Sequence, residues 1–394
     1  MVILPGKAHG VFKKSFFISI QDDYNDNIFL TPDNEEEDFV IRQNLGFSLS
    51  NRMPRYDLSL NYGFEAKLYS KFTDANNEKH TVSARSHSEI IKNVIYFDVE
   101  DTFTRIPSDI RRPALAEEVD VNLTDVNSFK FSSYVKSDIG PRMKLKAGYT
   151  YLRTDYNGSA ASDTNYNIVF EKLERRFSPK STASVDYEFK QKLTDGLTDE
   201  FLLHKVSLSS SYKMSTAMTL NAAAGNAWFD FETMDNTSNL FWNVDIKSSF
   251  SESDGITIHY GRNFNDSPEK GAYTSDVASL SVYYGNRLKV NGKLVIRTDD
   301  YFEIDREDRI NRAEMGLSWQ ATSQFNLSVN GYTTGEDFSS PSENISSWGA
   351  ELKGSYEFHR LATFEARYKH SDRDSDVGSS FVNNIYTLML RADI

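Results

Sequence analysis

The side chains of this sequence with most capacity for chemistry are ionisable groups set at every second position of long alternating runs. Cationic examples are Arg42, Arg85, Lys130, Lys136, Lys144, Lys146, Lys293, Arg297 and Arg312, and anionic ones are Glu65 and Glu100. On a strand, that spacing places all of them on one face. The chemistry it implies is that of a wetted, charged wall, where paired charges hold the wall together and any surplus selects among ions and polar solutes. The wall leans slightly basic, and Lys130, Lys136, Lys144 and Lys146 are its densest cationic group. A second set, Arg111, Arg112, Glu117 and Glu118, brackets Pro113 in the longest connection, residues 105–125. Proline followed by good helix formers predicts a short helix there. It would either fold inward as a constriction or stand outward as a flap.

Signals for catalysis are poor. The seven histidines form no His-Glu-x-x-His motif, and no Gly-x-Ser-x-Gly elbow or phosphate-binding loop occurs in a strand–turn–helix context. His80 and His87 with Ser86 and Ser88 are hydrolase candidates by composition only. No catalytic, metal-binding or cofactor-binding residue is assigned, and the expectation is a non-enzyme without a cofactor. The absence of cysteine removes disulfides, thiolate metal sites and the Cys-x-x-Cys-His haem attachment. A net charge of −13 argues against nucleic acid as a partner. The acidic runs at residues 33–38 and 299–308 could gather divalent cations, but read first as solvated loops.

The elements that must position these charges are strands. Tyr56, Leu58, Leu60, Tyr62, Phe64, Ala66 and Leu68 alternate with Asp57, Ser59, Asn61, Gly63, Glu65 and Lys67. A run of this length exceeds the usual five or six residues of a soluble strand and matches the roughly 9–11 residues a tilted strand needs to cross a bilayer. Similar runs recur to the end of the chain, where Tyr386, Leu388, Leu390, Ala392 and Ile394 share a face. Short turns (51–54, 92–93, 251–255, 286–287, 322–324 and 359–360) alternate with longer polar segments, among them 25–38, 70–79, 105–125, 299–308 and 335–344. Only 39% of residues are hydrophobic, and no run approaches a spanning helix. A barrel expects that low figure, because only alternate residues meet lipid. The 13% aromatic content suits boundary girdles.

The pattern therefore predicts an all-β fold, a transmembrane antiparallel barrel of about twenty strands (range roughly 16–22), with short periplasmic turns and longer extracellular loops. Residues 1–14 read as a signal-peptide remnant or N-terminal tail, with Ala8-His9-Gly10 as a small-x-small site. Residues 15–394 read as a single barrel. A soluble sandwich or propeller would have shorter strands and more frequent turns.

Residues 20–30, then Asp38-Phe39 and 56–69, resemble the opening of a family of outer-membrane β-barrel porins associated with exopolysaccharide export and exosortase-linked (PEP-CTERM) systems of Gram-negative bacteria. Residues 122–134 resemble that family's Asn-rich loop entering a Ser-Pro-Tyr strand, with Ser133 where proline is common. The similarity covers about the first 150 residues and carries no catalytic residues. Barrels usually end in an aromatic residue, whereas this chain ends in Ile394. The resemblance implies an outer-membrane pore for exopolysaccharide or other hydrated polar solutes. The alternative is a porin-like sheath around a periplasmic multihaem cytochrome. Expected partners are outer-membrane lipid and lipopolysaccharide, with periplasmic export machinery or such a cytochrome.

Overall fold

A computed structural model describes residues 11–107, 123–157, 162–195, 198–267, 270–378 and 380–394. Arg111, Arg112, Pro113, Glu117 and Glu118 lie outside the described residues, as does the helix expected around them. Twenty strands follow one another: β1 (Val11–Asn25), β2 (Asp38–Met53), β3 (Tyr56–Tyr69), β4 (Asn77–Ile91), β5 (Ile95–Pro107), β6 (Leu123–Asp138), β7 (Met143–Asn157), β8 (Thr164–Ser178), β9 (Ser181–Thr194) and β10 (Phe201–Lys213). The second half continues with β11 (Met218–Phe231), β12 (Thr237–Ser249), β13 (Gly255–Ser267), β14 (Gly271–Tyr284), β15 (Leu288–Tyr301), β16 (Arg306–Gln320), β17 (Phe325–Ser339), β18 (Ser342–His359), β19 (Ala362–Ser375) and β20 (Phe381–Asp393). The predicted alternating runs fall on these strands, with the last, Tyr386–Ile394, reaching one residue past β20. The boundary read between residues 14 and 15 falls within β1.

Each strand pairs antiparallel with its sequence neighbours, and β1 also pairs with β20, from Phe17 opposite Asp393 to Asn25 opposite Ile385. The sheet is thus a ring with no free edge. Lipid demands this, because an unpaired edge would leave backbone groups without partners in hydrocarbon. The seam includes the last residue: the Ile394 amide donates to the Phe16 carbonyl at 2.7 Å, and the Phe16 amide donates back at 2.9 Å.

Alternation decides what faces where. Leu208, Leu240, Leu294, Ile296, Met315 and Leu388 are among the most exposed large apolar side chains, all on one face of their strands. Aromatic residues gather on that same face near both ends. Tyr212, Phe250, Tyr284 and Trp319 lie toward the short turns, and Trp228, Trp348 and Tyr386 toward the other rim. Two aromatic girdles bounding an apolar band are the outward signature of a membrane barrel.

The long-loop side departs from the reading in one respect. Residues 299–308 and 335–344 are mostly strand: β15 and β16 are joined by residues 302–305, and β17 and β18 by residues 340–341 alone. These strands continue beyond the apolar band, where both faces are polar and alternation no longer marks them. Strands accordingly run from 13 to 18 residues. The acidic stretch at 33–38 is not simply solvated. Asp38 is buried and accepts from the Lys71 amide at 2.9 Å, and Glu37 pairs with Lys71 at 2.8 Å, clamping the β1–β2 and β3–β4 loops together. The Lys71 ammonium and the Tyr24 hydroxyl both donate to Glu37 and hold its carboxyl below the ordinary range.

Candidate functional site: the barrel interior

Strand register assembles the inner wall row by row. Arg85 sits between Ser59 and Glu100, and Glu100 sits between Arg85 and Lys130. Carrying such rows around the ring places Arg42, Arg85, Lys130, Lys136, Lys144, Lys146, Glu65, Glu100, Lys293, Arg297 and Arg312 on the face opposite the apolar band. Much of this wall is ion-paired. Arg42 meets Asp23 at 2.7 Å, Arg85 meets Glu100 at 2.7 Å, Arg297 meets Asp299 at 3.1 Å and Arg312 meets Glu314 at 2.5 Å. Glu65 lies opposite Lys79, and Lys293 opposite Glu314.

The same parity separates the compositional hydrolase set. Ser86, Ser88 and His80 lie opposite Leu58, Tyr56 and Phe64 on the outward face, and the Tyr62 hydroxyl contacts the His80 ring at 2.9 Å. His87 alone of the four points inward, against Asp98 at 2.5 Å. The wall stands between the histidines, so the set cannot act together. Among the described residues, no cluster of His, Asp or Glu could hold a metal ion.

The lysines expected to form a cationic group do come together. Lys136 lies directly opposite Lys146, and Lys146 directly opposite Lys172, a residue the sequence reading had not included. Lys144 follows one row nearer the short turns, opposite Asp138 and Glu174. Rings hold this row in place. The Lys136 ammonium lies 4.4 Å from the Tyr96 ring centre, and the Lys146 ammonium lies 4.4 Å from that of Tyr134 and 5.0 Å from that of Phe170. Gly148 stands between Tyr134 and Phe170 in its row. A Cβ there would lie 2.5 Å from Tyr134 Cβ and 2.9 Å from Phe170 Cζ, so only glycine lets the two rings close over the strand.

A further feature occupies the long-loop end. Pairing of β12 with β13 stops at Trp242–Arg262, although both strands continue. Beyond that split, β13 and β14 remain paired and lean into the lumen. Their outward face then meets the inner face of the wall. Phe264 packs 5.3 Å from Phe229 and 6.0 Å from Phe241, with Phe201, Leu203, Phe231 and Phe302 completing an apolar cluster. Asp266 of β13 reaches the Lys192 ammonium of β9 at 3.0 Å and accepts from the Tyr166 hydroxyl of β8. Five strand spacings separate β8 from β13, on the order of 24 Å along the wall, so these contacts cross the mouth. In the neighbouring β15–β16 loop, Glu303 accepts from the Asp199 amide at 2.9 Å and the Ala272 amide at 3.2 Å. Burial raises its carboxyl above the ordinary glutamate range despite those donors. The sequence carried a signal for this cluster. Leu202-Leu203, Trp228-Phe229 and Leu240-Phe241-Trp242 put apolar side chains on both faces at once, breaking the alternation.

No protein-family model and no curated protein matches the sequence. Solved structures do. The FrpB iron transporter from Neisseria meningitidis (F3-3 variant) is 10% identical, with 96% of this chain and 81% of that chain covered at a TM-score of 0.56. A mutant of the ferric enterobactin receptor PfeA from Pseudomonas aeruginosa is 10% identical, covering 97% and 80% at 0.58. The siderophore receptor PirA from the same organism is 11% identical, covering 96% and 80% at 0.51. The fold is that of an outer-membrane β-barrel. At these identities the likeness extends no further than the fold.

Proposed function

We propose that this barrel is a passage across the outer membrane for hydrated polar solutes, biased toward anions, and that an acidic exopolysaccharide is its cargo. The observation that carries the reading is the row of wall lysines. Among the described residues, Lys136, Lys144 and Lys146 have no carboxylate within ion-pair distance, whereas Arg42, Arg85, Arg297 and Arg312 of the same wall are paired. Unpaired cations lining a wet path lower the cost of entry for anions. A barrel of 16–18 strands already leaves an aqueous channel, so this ring has room for a polymer once the leaning β13–β14 tip moves. Similarity to an iron transporter and siderophore receptors supports passage as a role compatible with the fold. The polysaccharide assignment draws on the resemblance of the N-terminal third. A periplasmic export complex would supply direction.

Conductance of the refolded chain in planar bilayers tests the passage, with anion-favouring steps expected and a silent membrane counting against it. Deleting the gene and measuring surface polysaccharide tests the cargo, and unchanged export removes it. Co-purification of a stoichiometric haem protein from native membranes would replace both with the cytochrome-sheath reading.

The Glu303 contacts make the mouth sensitive to pH. A carboxyl whose value is raised on docking binds its proton more tightly in the docked tip. Docking is therefore favoured below the ordinary glutamate range and weakens as pH climbs through the raised value. Asp266 reinforces the shift and Lys192 opposes it. Conductance is expected to rise with pH across that window, and Glu303→Gln to flatten the rise. A fall with pH would contradict the docking geometry.

A further inference from the structure

We infer that Lys136, Lys146 and Lys172 form a multidentate binding site for an acidic saccharide chain near the short-turn end of the lumen. The inference deepens the proposed function and rests on it, turning a general anion bias into a defined station for the polymer.

Three adjacent strands present three lysines in direct register, which is unfavourable when like charges stand opposite one another with nothing between them. Among the described residues, only Lys172 of the three has a carboxylate partner, Asp186 at 3.3 Å. The row is nevertheless held rigid. Tyr96 and Tyr134 stack at 5.2 Å with 11° between their planes, and the ammonium groups of Lys136 and Lys146 sit over these rings and that of Phe170. Ring faces hold ammonium groups without neutralising them. The positive charge stays available and fixed in place, as a preorganised anion site requires.

The setting selects for a polymer. The lysines line a recess of about 430 Å³ in which four lysines face two carboxylates, Asp138 and Glu174. The strands that carry successive lysines are roughly 4.8 Å apart, a spacing comparable to the length of one pyranose unit. A chain bearing one carboxylate per sugar can therefore meet consecutive lysines at once, whereas a single small anion meets one or two. Asn93 on the rim supplies a neutral hydrogen-bonding group of the kind that meets sugar hydroxyls.

Titration calorimetry of the full chain refolded in detergent reads this site without requiring conductance. An oligogalacturonate is expected to bind saturably. Lys136→Gln, Lys146→Gln and Lys172→Gln should each weaken it about tenfold, the scale of one charged hydrogen bond. Lys293→Gln, elsewhere on the wall, should leave it unchanged. Lys136 is exposed, so its variant decides the matter if Lys146→Gln fails to fold. Equal weakening by Lys293→Gln, or no binding by the folded wild type, overturns the site. Inorganic phosphate displacing the oligomer at matched charge would make it a simple oxyanion site, and an oligoglutamate binding as tightly would remove the saccharide assignment. A silent bilayer with intact, lysine-dependent binding would instead count against the passage and leave the site standing.

Discussion

Asp266→Ala is expected to raise the conductance of the barrel severalfold while leaving the sheet folded. The carboxylate bridges Lys192 and Tyr166 across the mouth, and the side chains of the Asp266–Lys192 pair are 6% and 0% exposed. Removing one partner of a buried ion pair typically costs about 3–5 kcal/mol, because the other charge is left without compensation. At about 1.4 kcal/mol per tenfold, the docked population of the tip would fall by roughly two to three orders of magnitude. The penalty is local. The β13–β14 tip has already left β12 at Trp242–Arg262 and is held on its other side by the β14–β15 ladder up to Tyr273–Tyr301, so it can swing with that ladder intact. The apolar cluster opposes release, and Phe229→Ala, a change worth about 3–5 kcal/mol in a packed core, should add to the effect. Unchanged conductance in a folded Asp266→Ala barrel would mean that the tip does not limit the path.

The second large effect is on ion choice. Replacing Lys136 and Lys146 together by Glu changes the local charge by four units in a row where Lys172 alone has a carboxylate partner. The reversal potential under a salt gradient is expected to change sign, from anion-favouring to cation-favouring, because lining charges set selectivity in a wet path. The exposed Lys136 should cost little stability, and any loss should come from Lys146, half-buried against Tyr134 and Phe170. An unchanged sign would show that the current bypasses this row.

Much of the fold was legible because one physical requirement repeats along the chain. The Tyr56–Leu68 alternation fixes both the strand and its faces, and parity alone assigns Arg85 and Glu100 to the interior and Leu58 to the lipid. Legibility fails where the solvent on both faces is water. Asp299 and Asp300 are consecutive polar residues within β15, and they read as a loop because nothing forces alternation beyond the membrane. It fails again where packing is non-local. Phe229 and Phe264 meet only because one hairpin crosses the lumen, and no local pattern states which partner an extra inward ring will find. Lys172 escaped notice for a simpler reason. Register, not composition, aligns it with Lys136 and Lys146, and register depends on where each hairpin turns. His80 and His87 are candidates by composition only, and their opposite parity already separates them.

The central claim is a closed wall that is dry outside and wet within, and thiol labelling tests it most directly. The chain has no cysteine, so each introduced thiol is read against an empty background. In intact outer membranes, Asp57→Cys, Ser59→Cys and Asn61→Cys are expected to react with a small membrane-impermeant reagent. Leu58→Cys, Leu60→Cys and Tyr62→Cys should stay protected. Equal labelling at all six positions, or protection of all six in the folded protein, would contradict an aqueous interior behind a lipid-facing wall.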